Sequence, residues 1–179
     1  MRLFIALPVP EEVRGRIIAR TKVLREKYPE LKWVRGEALH LTMSFLGETE
    51  EGRVDQIRSI MDKAASGVDA FEMELGGIGF FPKKGPPRVL YTAVTKGAPE
   101  TRTLYSALLE GLEKIGFEGR KKFTPHLTLA RVKGKVDTPD PEVDGTDIDF
   151  SFTADRLVLY RSRLTPSGAV YETLGEAKL

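Results

Sequence analysis

The chain contains no cysteine and no asparagine, and its 179 residues include a single glutamine, Gln56. The lack of cysteine excludes disulfide bonds, thiolate zinc sites and a cysteine nucleophile. No apolar run approaches the ~18 residues that a membrane-spanning helix needs. The apolar run near the N-terminus, Leu3 to Leu7, is shorter than the ~7–15 residues of a signal-peptide core. We therefore expect a globular protein of the cytoplasm without a membrane segment.

Charge of both signs is abundant, with 28 basic and 26 acidic side chains and a net charge of +2. A high charged fraction combined with few heat-labile amide side chains is typical of proteins from thermophiles. We therefore expect a thermophilic source, a conclusion that concerns stability and not activity.

Hydrophobic periodicity indicates helices and strands that alternate along the whole chain. The predicted helices run from Pro10 to about Tyr28, from Glu50 to Ala65 and from Pro99 to Ile115. The predicted strands are Arg2–Leu7, Leu39–Leu46, Phe71–Phe81, Arg88–Val94, Phe123–Val132, Ile148–Tyr160 and Ala169–Leu174. Because several neighbouring strands read as hairpins and no linker interrupts the chain, we predict an α+β fold with antiparallel sheets over residues 1–179.

One tetrapeptide occurs twice, each time within a predicted strand. His40-Leu41-Thr42-Met43 recurs 86 positions later as His126-Leu127-Thr128-Leu129, and the chain has no other histidine. Alternate side chains of a strand share a face, so each histidine projects together with the threonine two residues later. A motif repeated at about half the chain length predicts two similar lobes, related by a pseudo-two-fold axis, that meet at a central cleft.

Two imidazoles and two hydroxyls that face one cleft are suited to phosphodiester chemistry. In-line hydrolysis needs a base for the attacking water and an acid for the leaving oxygen, and histidine can fill either role near neutral pH. The hydroxyls of Thr42 and Thr128 can donate to the non-bridging oxygens. Two histidines without neighbouring carboxylates or thiols form a poor metal site, so we expect neither a metal nor another cofactor. An ordinary strand with a half-buried histidine is a weaker explanation for two copies than for one.

Basic residues surround the second histidine. The segment from Arg120 to Val136 has six basic residues and no acidic one, which suits phosphate and nucleic acid. Within it, Arg131 could clamp phosphate oxygens in a bidentate manner. Strict alternation places Arg131 on the opposite face from His126, so it needs a bulge or a strand end to reach the cleft. Lys121 and Lys122 are either RNA contacts or part of a solvated surface.

The paired motifs resemble those of the 2H phosphoesterase superfamily and, within it, the bacterial and archaeal RNA 2′,3′-cyclic phosphodiesterases, also called 2′-5′ RNA ligases. Phe-Leu-Gly after the first motif and Thr-Pro before the second make the resemblance specific. The segments that carry it are Arg2–Leu7, His40–Gly47, Pro87–Tyr91, Phe123–Arg131 and Leu159–Leu164.

The resemblance implies a bilobal fold with helices outside and a metal-free enzyme that opens a terminal 2′,3′-cyclic phosphate on RNA to a 2′-phosphate. It further implies His40 as the proton donor to the 3′ oxygen and His126 as the base that activates water, and a possible 2′-5′ ligation activity. The residues themselves establish only an acid and a base. We expect RNA ends, such as those of tRNA, as substrate and a monomeric enzyme.

Recognition of the terminal base calls for a ring or guanidinium plane, because single-stranded ends are held by stacking. Phe45, Tyr91 and Arg88 are candidates, although core packing is the better role for Phe45, and packing is also the better role for Trp33. Two other functions remain open: a phosphodiesterase for a small cyclic phosphate such as ADP-ribose cyclic phosphate, and an RNA-end-binding module without catalysis. The basic segment favours RNA over a small ligand, and the two titrating side chains favour catalysis over binding alone.

Overall fold

The computed structural model describes residues 1–119, 122–144, 148–166 and 168–179. Within these ranges the strands are β1 (Arg2–Pro8), β2 (Lys32–Trp33), β3 (His40–Glu48), β4 (Phe71–Phe81), β5 (Val89–Lys96), β6 (His126–Arg131), β7 (Asp149–Ala154), β8 (Arg156–Thr165) and β9 (Gly168–Lys178). The helices are α1 (Glu11–Arg20), α2 (Lys22–Lys27), α3 (Val54–Ala65), α4 (Ala98–Lys114) and the single turn α5 (Pro141–Asp144). The predicted α+β class is therefore confirmed.

The strands form two antiparallel sheets whose strand orders correspond to each other. One sheet has the order β3-β1-β8-β9 and the other has the order β2-β6-β5-β4-β7. Across each sheet, three further strands lie in order on one side of the motif strand, which is β3 in one sheet and β6 in the other. The strands β3 and β6 contact each other where the sheets meet. The two sheets thus repeat the same strand arrangement around the motif strands, in agreement with the predicted bilobal pattern of antiparallel sheets.

One hydrophobic core joins the two sheets. Leu41 and Met43 of β3 and Leu127 and Leu129 of β6 are at most 3% exposed and belong to the same buried cluster. Helix α3 packs on β8 and β9 and buries Ile57 and its neighbours against them. Because the leucines and Met43 point into this core, the histidines and threonines of β3 and β6 occupy the opposite face of each strand.

Two of the predicted elements are each divided in the structure. The segment Ile148–Tyr160 is not one strand, because β7 ends at Ala154 in one sheet and β8 begins at Arg156 in the other. The first predicted helix ends at Arg20, and Thr21 separates it from α2. The Thr21 hydroxyl donates to the carbonyl of Ile17 at 2.8 Å, so the side chain bonds to the preceding turn at the position where the helix is interrupted.

No helix in the described parts of the chain is both long enough and apolar enough to cross a membrane.

Candidate active site

The four predicted catalytic side chains lie at matching positions of β3 and β6. His40 and Thr42 pair with Pro8 and Ala6 of β1, while His126 and Thr128 pair with Ala93 and Tyr91 of β5. All four are partly exposed, whereas the residues between them are fully buried. The alternation predicted from the sequence therefore extends through both motifs.

Both imidazoles are anchored by the backbone two residues before them. The Nδ1 atom of His126 lies 2.7 Å from the carbonyl oxygen of Thr124, and His40 forms a backbone hydrogen bond with Ala38. A carbonyl only accepts, so Nδ1 of His126 carries the proton and donates. This tautomer leaves Nε2 of His126 with a lone pair, as a general base requires.

Aromatic rings surround His40. The Phe4 ring centroid lies 4.8 Å from that of His40, and Tyr171 of β9 meets the imidazole edge-on at 5.3 Å. Tyr160 of β8 stacks on Phe4 at 5.1 Å. These contacts fix the plane of the imidazole and remove water from around it.

An equivalent aromatic pair supports His126. Phe81 and Tyr91 stack at 4.3 Å, and both meet His126 nearly edge-on, at 5.0 and 5.5 Å. Tyr91 is only 9% exposed, and its hydroxyl lies over Gly79, where a Cβ atom would approach it to 2.7 Å. Tyr91 therefore contacts the imidazole and not solvent, so the structure places it behind His126 and not at an open stacking position.

Each motif strand has a β-bulge at the fourth residue of its tetrapeptide. Between β1 and β3 the register skips Met43, and between β5 and β6 it skips Leu129. A bulge reverses the alternation beyond it, so the sixth residue of each motif lies on the face of the histidine. That residue is Phe45 in β3 and Arg131 in β6.

These two sixth residues are exposed on the face that carries the histidines. Phe45 is 54% exposed, and its ring lies 6.1 Å from that of Phe4. The Arg131 charge acts on both His40 and Tyr171, which belong to the other sheet. A bulge, one of the two routes left open by the sequence, therefore brings Arg131 to the face of His126, and packing of Phe45 in the core is excluded.

Burial and a nearby charge act on the protonation of His40. Burial lowers the pKa of His40 from 6.5 to about 4, and the nearby Arg131 charge acts in the same direction, against the hydrogen bond with Ala38. His40 is therefore neutral near pH 7 when the cleft holds no anion. Burial also raises the pKa of the Tyr171 hydroxyl beside it, which keeps that group protonated.

The remaining candidates lie outside the cleft or outside the described residues. Trp33 donates from Nε1 to the carbonyl oxygen of Tyr28 at 3.0 Å, and the Arg25 guanidinium covers its ring at 4.9 Å, so Trp33 has a packing role. Lys122 is exposed, whereas Arg120 and Lys121 fall outside the described residues.

Sequence reasoning missed the rings of Phe4, Phe81, Tyr160 and Tyr171. The sequence did hold a signal for Phe4. It lies in a strand predicted to be buried, and alternation places its side chain on the same side of that strand as those of Arg2 and Ala6. The other three become neighbours of a histidine only through the strand order of the two sheets. In the described ranges no group of three or more histidine, aspartate or glutamate side chains is arranged to hold a metal ion.

Comparison with known families agrees with this geometry. The family model of the 2′-5′ RNA ligase superfamily matches residues 9–166. The chain belongs to this superfamily. The match includes both histidine motifs, whereas β1 and β9 lie outside the matched range.

Full-length relatives carry one name. A Thermotoga maritima protein is 34% identical over 99% of this chain and 95% of its own, and a Thermus thermophilus protein is 34% identical over 100% and 90%. Both are named RNA 2′,3′-cyclic phosphodiesterase. Such sources fit the thermophilic composition of the sequence.

Solved structures share the fold over the whole chain. A crystal structure from Thermus thermophilus has a TM-score of 0.83 at 34% identity and covers 100% of this chain and 98% of its own. Escherichia coli LigT complexed with 3′-AMP has a TM-score of 0.82 at 25% identity and covers 99% and 97%.

Proposed function

We propose that this protein is an RNA 2′,3′-cyclic phosphodiesterase, a hydrolase that opens the cyclic phosphate at an RNA 3′ end to a 2′-phosphate. The observation that supports this most strongly is the matched pair of backbone-anchored histidines, each with its threonine, on the adjoining strands β3 and β6. Relatives of the same length carry this activity in their names. The 3′-AMP bound by Escherichia coli LigT is itself a nucleotide with a phosphate on its 3′ side.

The proposed reaction is one in-line displacement. Nε2 of His126 takes a proton from water as the water oxygen bonds to phosphorus, and the bond from phosphorus to the 3′ oxygen breaks. His40 gives a proton to the departing 3′ oxygen, so the products are a 3′ hydroxyl and a 2′-phosphate. The hydroxyls of Thr42 and Thr128 donate to the non-bridging oxygens, where negative charge increases in the transition state.

The low pKa of His40 sets a condition on this assignment. A neutral imidazole cannot donate to a leaving alkoxide, so His40 has to gain a proton when the substrate binds. The cyclic phosphate carries one negative charge, and an anion beside His40 raises its pKa. Thus the substrate itself supplies the charge that converts His40 into an acid.

Phe45 and Arg131 are proposed to hold the substrate from opposite sides of the cleft. The exposed Arg131 would bind a phosphate oxygen or stack its guanidinium plane on a base, and the exposed ring of Phe45 would offer a stacking surface. Tyr91 is proposed to act indirectly, by fixing the orientation of His126. The family name also implies 2′-5′ ligation, in which a 5′ hydroxyl takes the place of water.

The proposed setting is that of a monomeric enzyme acting in the cytoplasm on RNA ends such as those of tRNA. The exposed cations near Arg131 favour RNA over a small cyclic phosphate.

The test is hydrolysis of a short RNA that ends in a 2′,3′-cyclic phosphate, in the presence of EDTA. We expect full turnover to a 2′-phosphate, which nuclear magnetic resonance of phosphorus distinguishes from a 3′-phosphate. The variant carrying His40→Ala and His126→Ala together serves as the control for contaminating ribonuclease. Loss of activity in EDTA that zinc or manganese restores would contradict the metal-free mechanism.

A further inference from the structure

A groove of about 600 Å³ leads away from the cleft at Arg131. Its walls are the connection between β4 and β5 and the segment that follows β6. Besides Arg131, its lining includes Pro86, Pro87, Arg88, Lys133 and Lys135. A smaller cavity of about 350 Å³ continues along Pro86, Pro87 and Lys135 as far as Asp137.

The backbone connects this groove rigidly to the catalytic strands. The amide of Val132 donates to the carbonyl of Arg88 at 2.8 Å, and the amide of Arg88 donates to the carbonyl of Phe81 at 2.8 Å. Phe81 is the ring that meets His126 at 5.0 Å. The groove thus has a fixed position relative to the catalytic histidine before any ligand binds.

The groove combines an apolar floor with a cationic rim. The rings of Pro86 and Pro87 and the side chain of Val132 form the floor, while Arg88, Lys133 and Lys135 are exposed. Throughout the ranges that the structure describes, these three cations and Arg131 take part in no ion pair. An apolar surface flanked by free cations suits a single-stranded nucleic acid, whose bases pack on the floor while its phosphates contact the rim.

We propose that this groove binds the nucleotides immediately 5′ of the terminal cyclic phosphate, with their phosphates on Arg88, Lys133 and Lys135. The inference rests on the proposed function, because the RNA end has to occupy the cleft for the preceding nucleotides to enter the groove. Arg131 lies at the start of the groove, and the residues that line the groove include no acidic side chain, so a strand that passes Arg131 meets apolar and cationic groups there. The protein would therefore prefer oligonucleotides over cyclic mononucleotides.

The first experiment measures hydrolysis of cyclic-phosphate substrates of one, two, three and six nucleotides. For the wild-type protein we expect KM to fall as the chain lengthens, while kcat stays nearly constant. In the variant carrying Lys133→Gln and Lys135→Gln, KM should depend much less on length, because only Arg88 is left of the three rim cations. The matched control carries Lys63→Gln and Arg102→Gln, two exposed cations on the packed helices α3 and α4, and should behave as wild type.

The second experiment measures binding of a six-nucleotide RNA to proteins that also carry His126→Ala, by fluorescence anisotropy between 50 and 200 mM salt. Each phosphate contact contributes ~0.7 to the log–log salt slope of a single strand, so losing two lowers the slope by ~1.4. When the salt rises from 50 to 200 mM, the fold-decrease in RNA affinity should therefore be about 7 times smaller in the lysine variant than in its control.

The two experiments separate the groove from the reaction. If the lysine variant keeps the wild-type salt slope and length dependence, the groove does not bind RNA. That result would leave the proposed hydrolytic function unaffected. If wild type hydrolyses none of the substrates, the proposed function fails, and the binding slopes still decide whether the groove holds RNA.

Discussion

The lowered pKa of His40 predicts that this residue contributes a defined share of the loss of stability in acid. In the unfolded chain its pKa is 6.5, and in the folded protein burial lowers it to about 4. Between these values the unfolded state binds the additional proton, so stability falls as the pH falls from 6.5 to 4 and is fully present above pH 6.5. At about 1.36 kcal/mol per pH unit, the loss attributable to His40 is about 3 kcal/mol at pH 4.

The measurement is the free energy of unfolding in urea at pH 7 and pH 4, for wild type, His40→Gln and His126→Gln. Glutamine is neutral and can still donate to the Ala38 carbonyl, so the pH-dependent loss should shrink by about 3 kcal/mol in His40→Gln. Carboxylates contribute equally to all three proteins and cancel in the comparison. An equal loss in wild type and His40→Gln would refute the reasoning, because His40 would then be solvated in the folded state.

Three further predictions concern the cleft. Binding of inorganic phosphate should raise the pKa of His40. Proton nuclear magnetic resonance can follow this pKa because the chain has only two histidines, and an unchanged value would show that the phosphate does not bind beside His40. Phe45→Leu should raise KM with little change in kcat on cyclic-phosphate RNA, since it removes a stacking ring and no reacting group, and a fall in kcat alone would place Phe45 elsewhere in the mechanism. Gly79→Ala should lower the melting temperature and kcat together, because its Cβ would displace the Tyr91 hydroxyl and with it His126; wild-type kcat would show that Tyr91 does not position the histidine.

The arrangement of side chains within the repeated tetrapeptide was predictable from the sequence, because the alternation of a strand is a local property. The side chains of His40 and Thr42 share a face through backbone geometry alone, and the same holds for His126 and Thr128. The α+β class also followed from local patterns. These features require no knowledge of which strands are neighbours.

The bulges and the aromatic supports were not predictable in the same way. A bulge is a mismatch between two strands, so the positions of Met43 and Leu129 depend on how β3 and β6 pair with their partners. Counting alternate residues from His126 shows that Arg131 needs an irregularity such as a bulge to reach the histidine face. The same count from His40 does not reveal that a bulge in β3 brings Phe45 to that face. Likewise, Tyr171 reaches His40 only because β9, far along the chain, joins the same sheet.

The break at Asp155 illustrates the limit for element boundaries. Ile148 to Tyr160 has continuous strand character, and nothing local indicates that the chain leaves one sheet and enters the other. The transfer is visible only in the pairing, where β7 bonds to β4 and β8 bonds to β1 and β9.

The central claim is that His40 and His126 act as one acid–base pair on a terminal cyclic phosphate. The most direct test is the single-turnover rate on cyclic-phosphate RNA for His40→Ala, His126→Ala and the double variant. A positioned acid or base typically contributes ~10²–10⁴-fold, so each single variant should lose that much with its fold intact. The double variant should lose less than the product of the two, because groups that act in one step are not additive. Near-wild-type turnover in either single variant would contradict the account.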